Sequence, residues 1–288
     1  MALAPFNLPL TNGAPTGYGW ANRTESEISS ITAFETGIDE RDRFHGVKRC
    51  VVCGESIPET LQHCYSIPRK EERTWDDLKE RDWIPAQAKR HPAHEPRNGL
   101  LMCVNHHKSF DAYAFFLRYL PESGKFVLVN YSDHHSLVPF HGKAIALDSG
   151  HRYSPFPSVF IIHEMRVRGR YPFAPISPPI PSDPTFQDWI TTCEVFDPTT
   201  KSFIRPEPPR NNNSSNRSRD NNNNDTTALQ PMTGVSQSHS LVLNDDAIRE
   251  IVQATRQMDS WKACQIEGTD WSGTGEENIR KYMHLSDR

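Results

Sequence analysis

The sequence predicts an α+β chain with one folded domain, a disordered linker and a C-terminal helix. Three observations carry this. Of 288 residues only 36% are hydrophobic, and mean hydropathy is −0.67, too polar for a chain packed from end to end. Most of the aromatic residues and nearly all of the 13 histidines fall between about residues 45 and 175. The stretch "PPRNNNSSNRSRDNNNNDTT" has almost no apolar side chain to bury, so it cannot offset the entropy of ordering. The expected division is a loosely ordered segment 1–44, a folded domain 45–175, a Pro-rich then Asn-rich disordered linker 176–243, and an amphipathic helix with its tail at 244–288.

Within the domain, "RCVVCGES" reads as a short strand and a tight knuckle, with Gly54 just past the second cysteine. "LQHCYSIP" has strand character and stops at Pro68. The charged stretch after it is expected to be helical between about Thr74 and Trp83, with Trp75 and Trp83 as core anchors. "NHHKSFDAYAFFLRYL" carries Phe110, Ala114, Leu117 and Leu120 at spacings of three and four, which predicts one helix ended by Pro121. "KFVLVNYS" and "GKAIALD" read as strands, and "PSVFIIHEMRVRGR" as a helix or a long strand. As a strand it would align Arg166, Arg168 and Arg170 in a basic stripe, suited to phosphates or to a solvated edge. Beyond the linker, Asn244 is a good N-cap, and Ile248, Ile251, Val252 and Thr255 share one helical face.

Composition excludes several classes. The N-terminal stretch lacks the basic and apolar regions of a secretory leader, and no apolar run reaches 18 residues. The expectation is an intracellular chain, nuclear or cytoplasmic, without a membrane span. Six cysteines in a chain this long do not make a disulfide scaffold. A net charge of −4 gives no overall nucleic-acid signature, although a local cationic groove suffices for one.

Cysteine and histidine spacing is the sharpest signal. Cys50 and Cys53 form C-x2-C, and Cys103 and His106 form C-x2-H. The first pair alone is also met by two buried strand cysteines. With the second pair the four side chains suit a tetrahedral structural Zn2+ site.

In order, "CVVCG", "SIPR" and "NGLLMCVNHHKSFD" resemble the HNH endonucleases, in particular the branch whose motif reads Ala-His-Ile-x-Pro, then Asn-Gly-Leu-x-Leu-Cys and His-x-x-Phe-Asp. "HGKAIALD" resembles the strand that follows there. The similarity spans roughly residues 47–150, about a third of the chain. It implies a ββα-metal unit with added strands and helices, and hydrolysis of DNA phosphodiesters with a divalent cation, Mg2+ or Mn2+. Carried over, Asn98 orders the site, His107 holds the catalytic cation, and His106 takes the place of a zinc-ligating cysteine. The resemblance thus sends two adjacent histidines to two metals, which a helix start allows because successive residues point about 100° apart.

The motif departs at its first histidine. Three residues before Pro68 stands Tyr65, and Cys64 precedes it where the wider superfamily often has an aspartate metal ligand. A tyrosine with a pKa near 10 is a poor general base. Three readings stay open. His63, on the face of Tyr65 by strand alternation, replaces the base; His91 or His94 supplies it; or the base is lost and the domain is a module binding nucleic acid or protein. Lys70, Arg69 and Lys108 lie beside the motifs as candidate phosphate contacts, and His134 and His135 read as surface residues. Oligomeric state is open.

Overall fold

A computed structural model describes residues 32–175, 178–181, 183–205 and 238–268. The Asn-rich stretch lies outside the described residues, as do residues 1–31 and the tail after residue 268.

The first element departs from expectation. Residues Thr32–Arg41 form helix α1, where a loose segment was expected. Phe34 and Ile38, four residues apart, are fully buried on one face. They lie against Tyr65 and Leu101, and Phe34 stacks on Tyr65 with ring centroids 4.3 Å apart.

Strand β1 (Leu61–Tyr65) pairs antiparallel with strand β2 (Gly99–Cys103), Leu61 opposite Cys103 and Tyr65 opposite Gly99. Between them, Glu72–Glu80 form helix α2, which buries Trp75 and Leu78. The Trp75 indole donates to the Lys89 carbonyl at 2.9 Å, so the expected core-anchor role holds. Helix α3 (Val104–Asp111) follows β2 directly and completes a ββα unit. Gly99 sits where a Cβ would run into Ile38 and Phe34. That close approach gives the Asn98-Gly99 step a packing reason.

The long helix expected over residues 105–120 does not form. Helix α3 stops at Asp111, and Tyr113 takes a left-handed φ of 59°. Phe115–Leu120 then form strand β3, antiparallel to strand β4 (Lys125–Asn130), with Phe115 opposite Asn130 and Leu120 opposite Lys125. The apolar residues of "FFLRYL" are compatible with either period. The partner strand and the turn at Gly124 (φ 66°) decide for the hairpin, since strand preference is mainly a matter of neighbours. "GKAIALD" gives isolated bridges from Ala144 to Val127 and Phe186, not a strand.

Pro157–Arg170 is helix α4, which packs on β3. This corrects the basic stripe at Arg166 and Arg168, while Arg170 is exposed at the helix end. Arg168 and Arg118 both bond the buried Glu164, Arg166 bonds Glu71, and all three guanidinium groups are buried. Charges committed to carboxylates in the interior cannot also form a phosphate-binding edge.

The Pro-rich part of the expected linker is also structured. Pro179–Pro181 pairs with Ser238–Ser240. Asp188–Thr192 forms short helix α5, and Phe196–Asp197 pairs with Ser202–Phe203. Ile190, Val195 and Phe203 bury against Phe44 and Ala146. These few apolar residues suffice because they finish an existing core. Helix α6 (Asp245–Gln257) begins at Asn244, whose side chain accepts from the Ala247 amide at 2.9 Å. Its buried face is Ile248, Ile251, Val252 and Thr255, as expected, and it docks on α4. Each such buried Ile or Val contributes roughly 1.5–3 kcal/mol. Helix α7 (Asp259–Glu267) ends the described chain.

Candidate metal centre

The ββα unit carries two clusters of ligand-type side chains. Cys50, Cys53, Cys103 and His106 make the first, with their ligand atoms within 4.8 Å of one another. Residues Cys50 to Gly54 form a turn rather than the expected strand, closed by the Gly54 amide donating to the Cys50 carbonyl at 2.9 Å. Gly54 has φ 76°, and a Cβ there would press into Trp189. The Trp189 indole donates to the Val52 carbonyl at 2.8 Å. The segment after α4 thus braces the knuckle.

Distances in this cluster are Cys53 Sγ to Cys103 Sγ 3.8 Å, Cys103 Sγ to His106 Nδ1 3.2 Å, and Cys50 Sγ to His106 Nδ1 3.7 Å. Tetrahedral Zn–S bonds of about 2.3 Å require sulfurs about 3.8 Å apart. The cluster is compatible with structural zinc. Cys103 is pulled far down by hydrogen bonds from Cys50 and Cys53, with His106 adding to them. Burial lowers His106, but Cys103 and Cys53 outweigh it and push it up to about 9. Burial, then the neighbouring thiols, holds Cys50 protonated. Without metal the cluster therefore keeps protons that zinc would displace.

Cys64, His107 and Asp111 make the second cluster, also within 4.8 Å and all buried. Strand β1 and helix α3 bring them together: Gln62 and Cys64 alternate onto the face that meets the helix, while His107 and Asp111 stand four residues apart on one helix face. His107 Nδ1 lies 2.8 Å from Gln62 Oε1. A carbonyl oxygen accepts only, so Nδ1 donates to Gln62, and once the ring gives up its second proton in favour of a bound ion Nε2 is the nitrogen left to ligate. That Nε2 is buried, 3.2 Å from Asp111 Oδ2, yet has no hydrogen bond. Burial pulls His107 down, but Cys64 and Asp111 outweigh it and push it up to about 10. A cation among Cys64, His107 and Asp111 fits this unsatisfied nitrogen.

Asn98 is fully buried and works as a clip. Its amide donates to the Ile67 carbonyl at 2.8 Å and the Pro92 carbonyl at 3.1 Å, and its oxygen accepts from the Ile67 amide at 2.8 Å. It ties the end of β1 to the turn before β2.

His63, one of the candidate bases, faces helix α1. It lies on the opposite face of β1 from Gln62 and Cys64, with Nε2 2.9 Å from Asp39 Oδ1 on α1. Burial raises Asp39, but hydrogen bonds from His63 and Lys48 outweigh it and hold the carboxyl low. Tyr65 shares that face and donates to the Ala93 carbonyl at 3.4 Å. Neither residue reaches the His107 cluster, because α1 covers their face. His91 pairs with Glu72 at 3.1 Å, and His94 is exposed. His134, His135, Lys70 and Lys108 are exposed, and Arg69 is half-buried.

Sequence reading missed Asp39, Gln62 and Asp111 and left Cys64 as a departure from the motif. The i, i+4 spacing of His107 and Asp111, and the alternation of Gln62 with Cys64, were the available signals.

Among the described residues no helix is long and apolar enough to cross a membrane. No curated protein and no solved structure matches the chain. A family model described as HNH endonuclease matches residues 50–118, which span the knuckle, β1, β2, α3 and most of β3. Over residues 50–118 the chain carries an HNH endonuclease family segment.

Proposed function

We propose that this ββα unit is a metal-dependent endonuclease site that hydrolyses DNA phosphodiester bonds. The observation that supports it best is His107. It is oriented by Gln62 through Nδ1, and its buried Nε2 is turned to Asp111 without a hydrogen bond. A histidine fixed this way is prepared to hold a metal, since the partner of one ring nitrogen sets the basicity and direction of the other. Cys64, His107 and Asp111 would hold the ion, and Asn98 would position the strand end beside it. A divalent ion there supplies Lewis acidity toward a scissile phosphate oxygen and lowers the pKa of a bound water. The closed Cys50, Cys53, Cys103 and His106 cluster has a scaffold role.

The test is nicking of supercoiled plasmid by the full chain with Mg2+, Mn2+ or Zn2+, beside His107→Ala prepared identically. Nicking in the first, reduced at least about 100-fold in the second, is expected. A second reading is favoured by the placement of His63 on Asp39 and of Tyr65 against Phe34, which leaves no strand histidine facing His107. In that reading the unit binds nucleic acid or protein without cutting. Retarded DNA migration without nicking for any of the three metals would decide for it.

A further inference from the structure

We propose that Cys64 is itself a metal ligand, so that Cys64, His107 and Asp111 form a site selective for a thiophilic divalent ion of the zinc class. This deepens the metal-dependent reading above and rests on it.

The argument starts from what a core cysteine requires. A buried thiol is content among apolar neighbours and needs no carboxylate beside it. Cys64 instead has its sulfur within 4.8 Å of a buried imidazole nitrogen and a buried carboxylate oxygen. Within its own strand its sulfur makes only a 3.8 Å contact with the Tyr65 carbonyl. Strand alternation brings Cys64 and Gln62 to the same histidine, the first at the cluster and the second behind the ring. One thiol, one imidazole and one carboxylate in reach of a point, with the imidazole held from behind, are what an ion would need.

The donor set then chooses the ion. Mg2+ and Mn2+ prefer oxygen ligands, while a thiolate with imidazole favours Zn2+ or Co2+. The neighbouring Cys50, Cys53, Cys103 and His106 set closes a tetrahedron, whereas three protein ligands leave one position for a water or substrate oxygen. The ion expected here differs from the Mg2+ or Mn2+ that the family resemblance implies.

The test uses the full-length wild-type chain, produced with zinc and treated with a mild chelator that strips the three-ligand site and spares the closed one. One equivalent of Co2+ is then added. A near-ultraviolet thiolate-to-cobalt charge-transfer band that persists in a thousandfold excess of Mg2+ is expected. Cys64→Ser should lose that band, and Cys64→Asp should lose it and gain binding of Mn2+. Cobalt ligand-field absorption without a thiolate band in the wild type, or no cobalt uptake, overturns the proposal without relying on the folding of any variant. So does an unchanged band in Cys64→Ser. Plasmid nicking in parallel separates the two claims. A thiolate band without nicking keeps the ligand set and removes the nuclease, while Mg2+-supported nicking without the band does the reverse.

Discussion

Gln62 Oε1 stands 2.8 Å from His107 Nδ1, so the first strand of the ββα unit fixes the direction of the histidine on its helix. Neither residue type is unusual at its position. The pairing turns Nε2 toward Cys64 and Asp111.

Gln62→Leu keeps the volume of this half-buried side chain and removes the acceptor. Metal affinity at the second cluster should fall about 10–100-fold with little change in Tm. Competition titration against a metal indicator reads the affinity. Unchanged affinity would mean that Gln62 merely packs beside the ring.

His63→Ala and His107→Ala should separate cleanly. The His63–Asp39 pair is partly exposed, so its loss costs about 1 kcal/mol or less. Nicking should stay within about threefold, because a residue outside the site lowers no barrier. His107→Ala should abolish nicking and leave the structural zinc in place. A collapse of activity in His63→Ala would return that residue to the role the sequence suggested.

Cys103→Ala removes one ligand from the four-residue cluster and the residue that leads into α3. Structural zinc contributes on the order of 10 kcal/mol in small domains, so loss of the site should unfold the ββα unit. Near-ultraviolet circular dichroism and zinc content should fall together. Signal retained after zinc is gone would make the metal dispensable for folding.

Acid stability should depend on His151. Burial, then Arg205, Arg41, Arg152 and Arg97, pulls it from 6.5 to about 2. Its Nδ1 accepts from the Tyr153 amide at 3.2 Å, which requires the neutral ring. The folded state thus binds fewer protons at this site than the unfolded state. Its contribution is complete above about pH 6.5 and is lost as pH falls from there toward 2, at up to about 1.4 kcal/mol per pH unit. His151→Asn should flatten the fall of Tm between pH 6.5 and 4.5. An identical slope would remove His151 from the acid response.

Arg97 anchors the C-terminal helices. Its guanidinium bonds Glu95 at 2.8 Å and Glu267 on α7 at 2.9 Å, and all three side chains are buried. Glu267→Ala removes one of the two buried carboxylates on Arg97 and leaves only Glu95, which should cost about 3 kcal/mol, or roughly 10 °C in Tm. Arg97→Met combined with Glu267→Leu and Glu95→Gln, which leaves no unpaired charge behind, should recover most of it, as thermal melts would read. A triple variant no better than the single one would show that the ion pair itself positions α7.

Much of the fold was legible where local chemistry suffices. The knuckle, the C-x2-C and C-x2-H pairs, the cap at Asn244 and the buried face of α6 follow from spacing alone. The helix expected through residue 120 failed because "FFLRYL" buries residues on both faces, and only its partner, Lys125–Asn130, makes it a strand. Helix α1 was missed because its signal is two residues, Phe34 and Ile38, whose partners lie far along the chain.

The sequence by itself grouped Cys50, Cys53, Cys103 and His106 through their C-x2-C and C-x2-H spacing, and its resemblance to the HNH family sent the adjacent His107 to a second site. Only the tertiary structure decided which face of "LQHCY" meets His107. Alternation divides a strand into two sets without saying which is inside. Helix α1 settles it by taking His63 and Tyr65, leaving Gln62 and Cys64 for α3. The choice depends on contacts between segments distant in sequence, which no local pattern encodes.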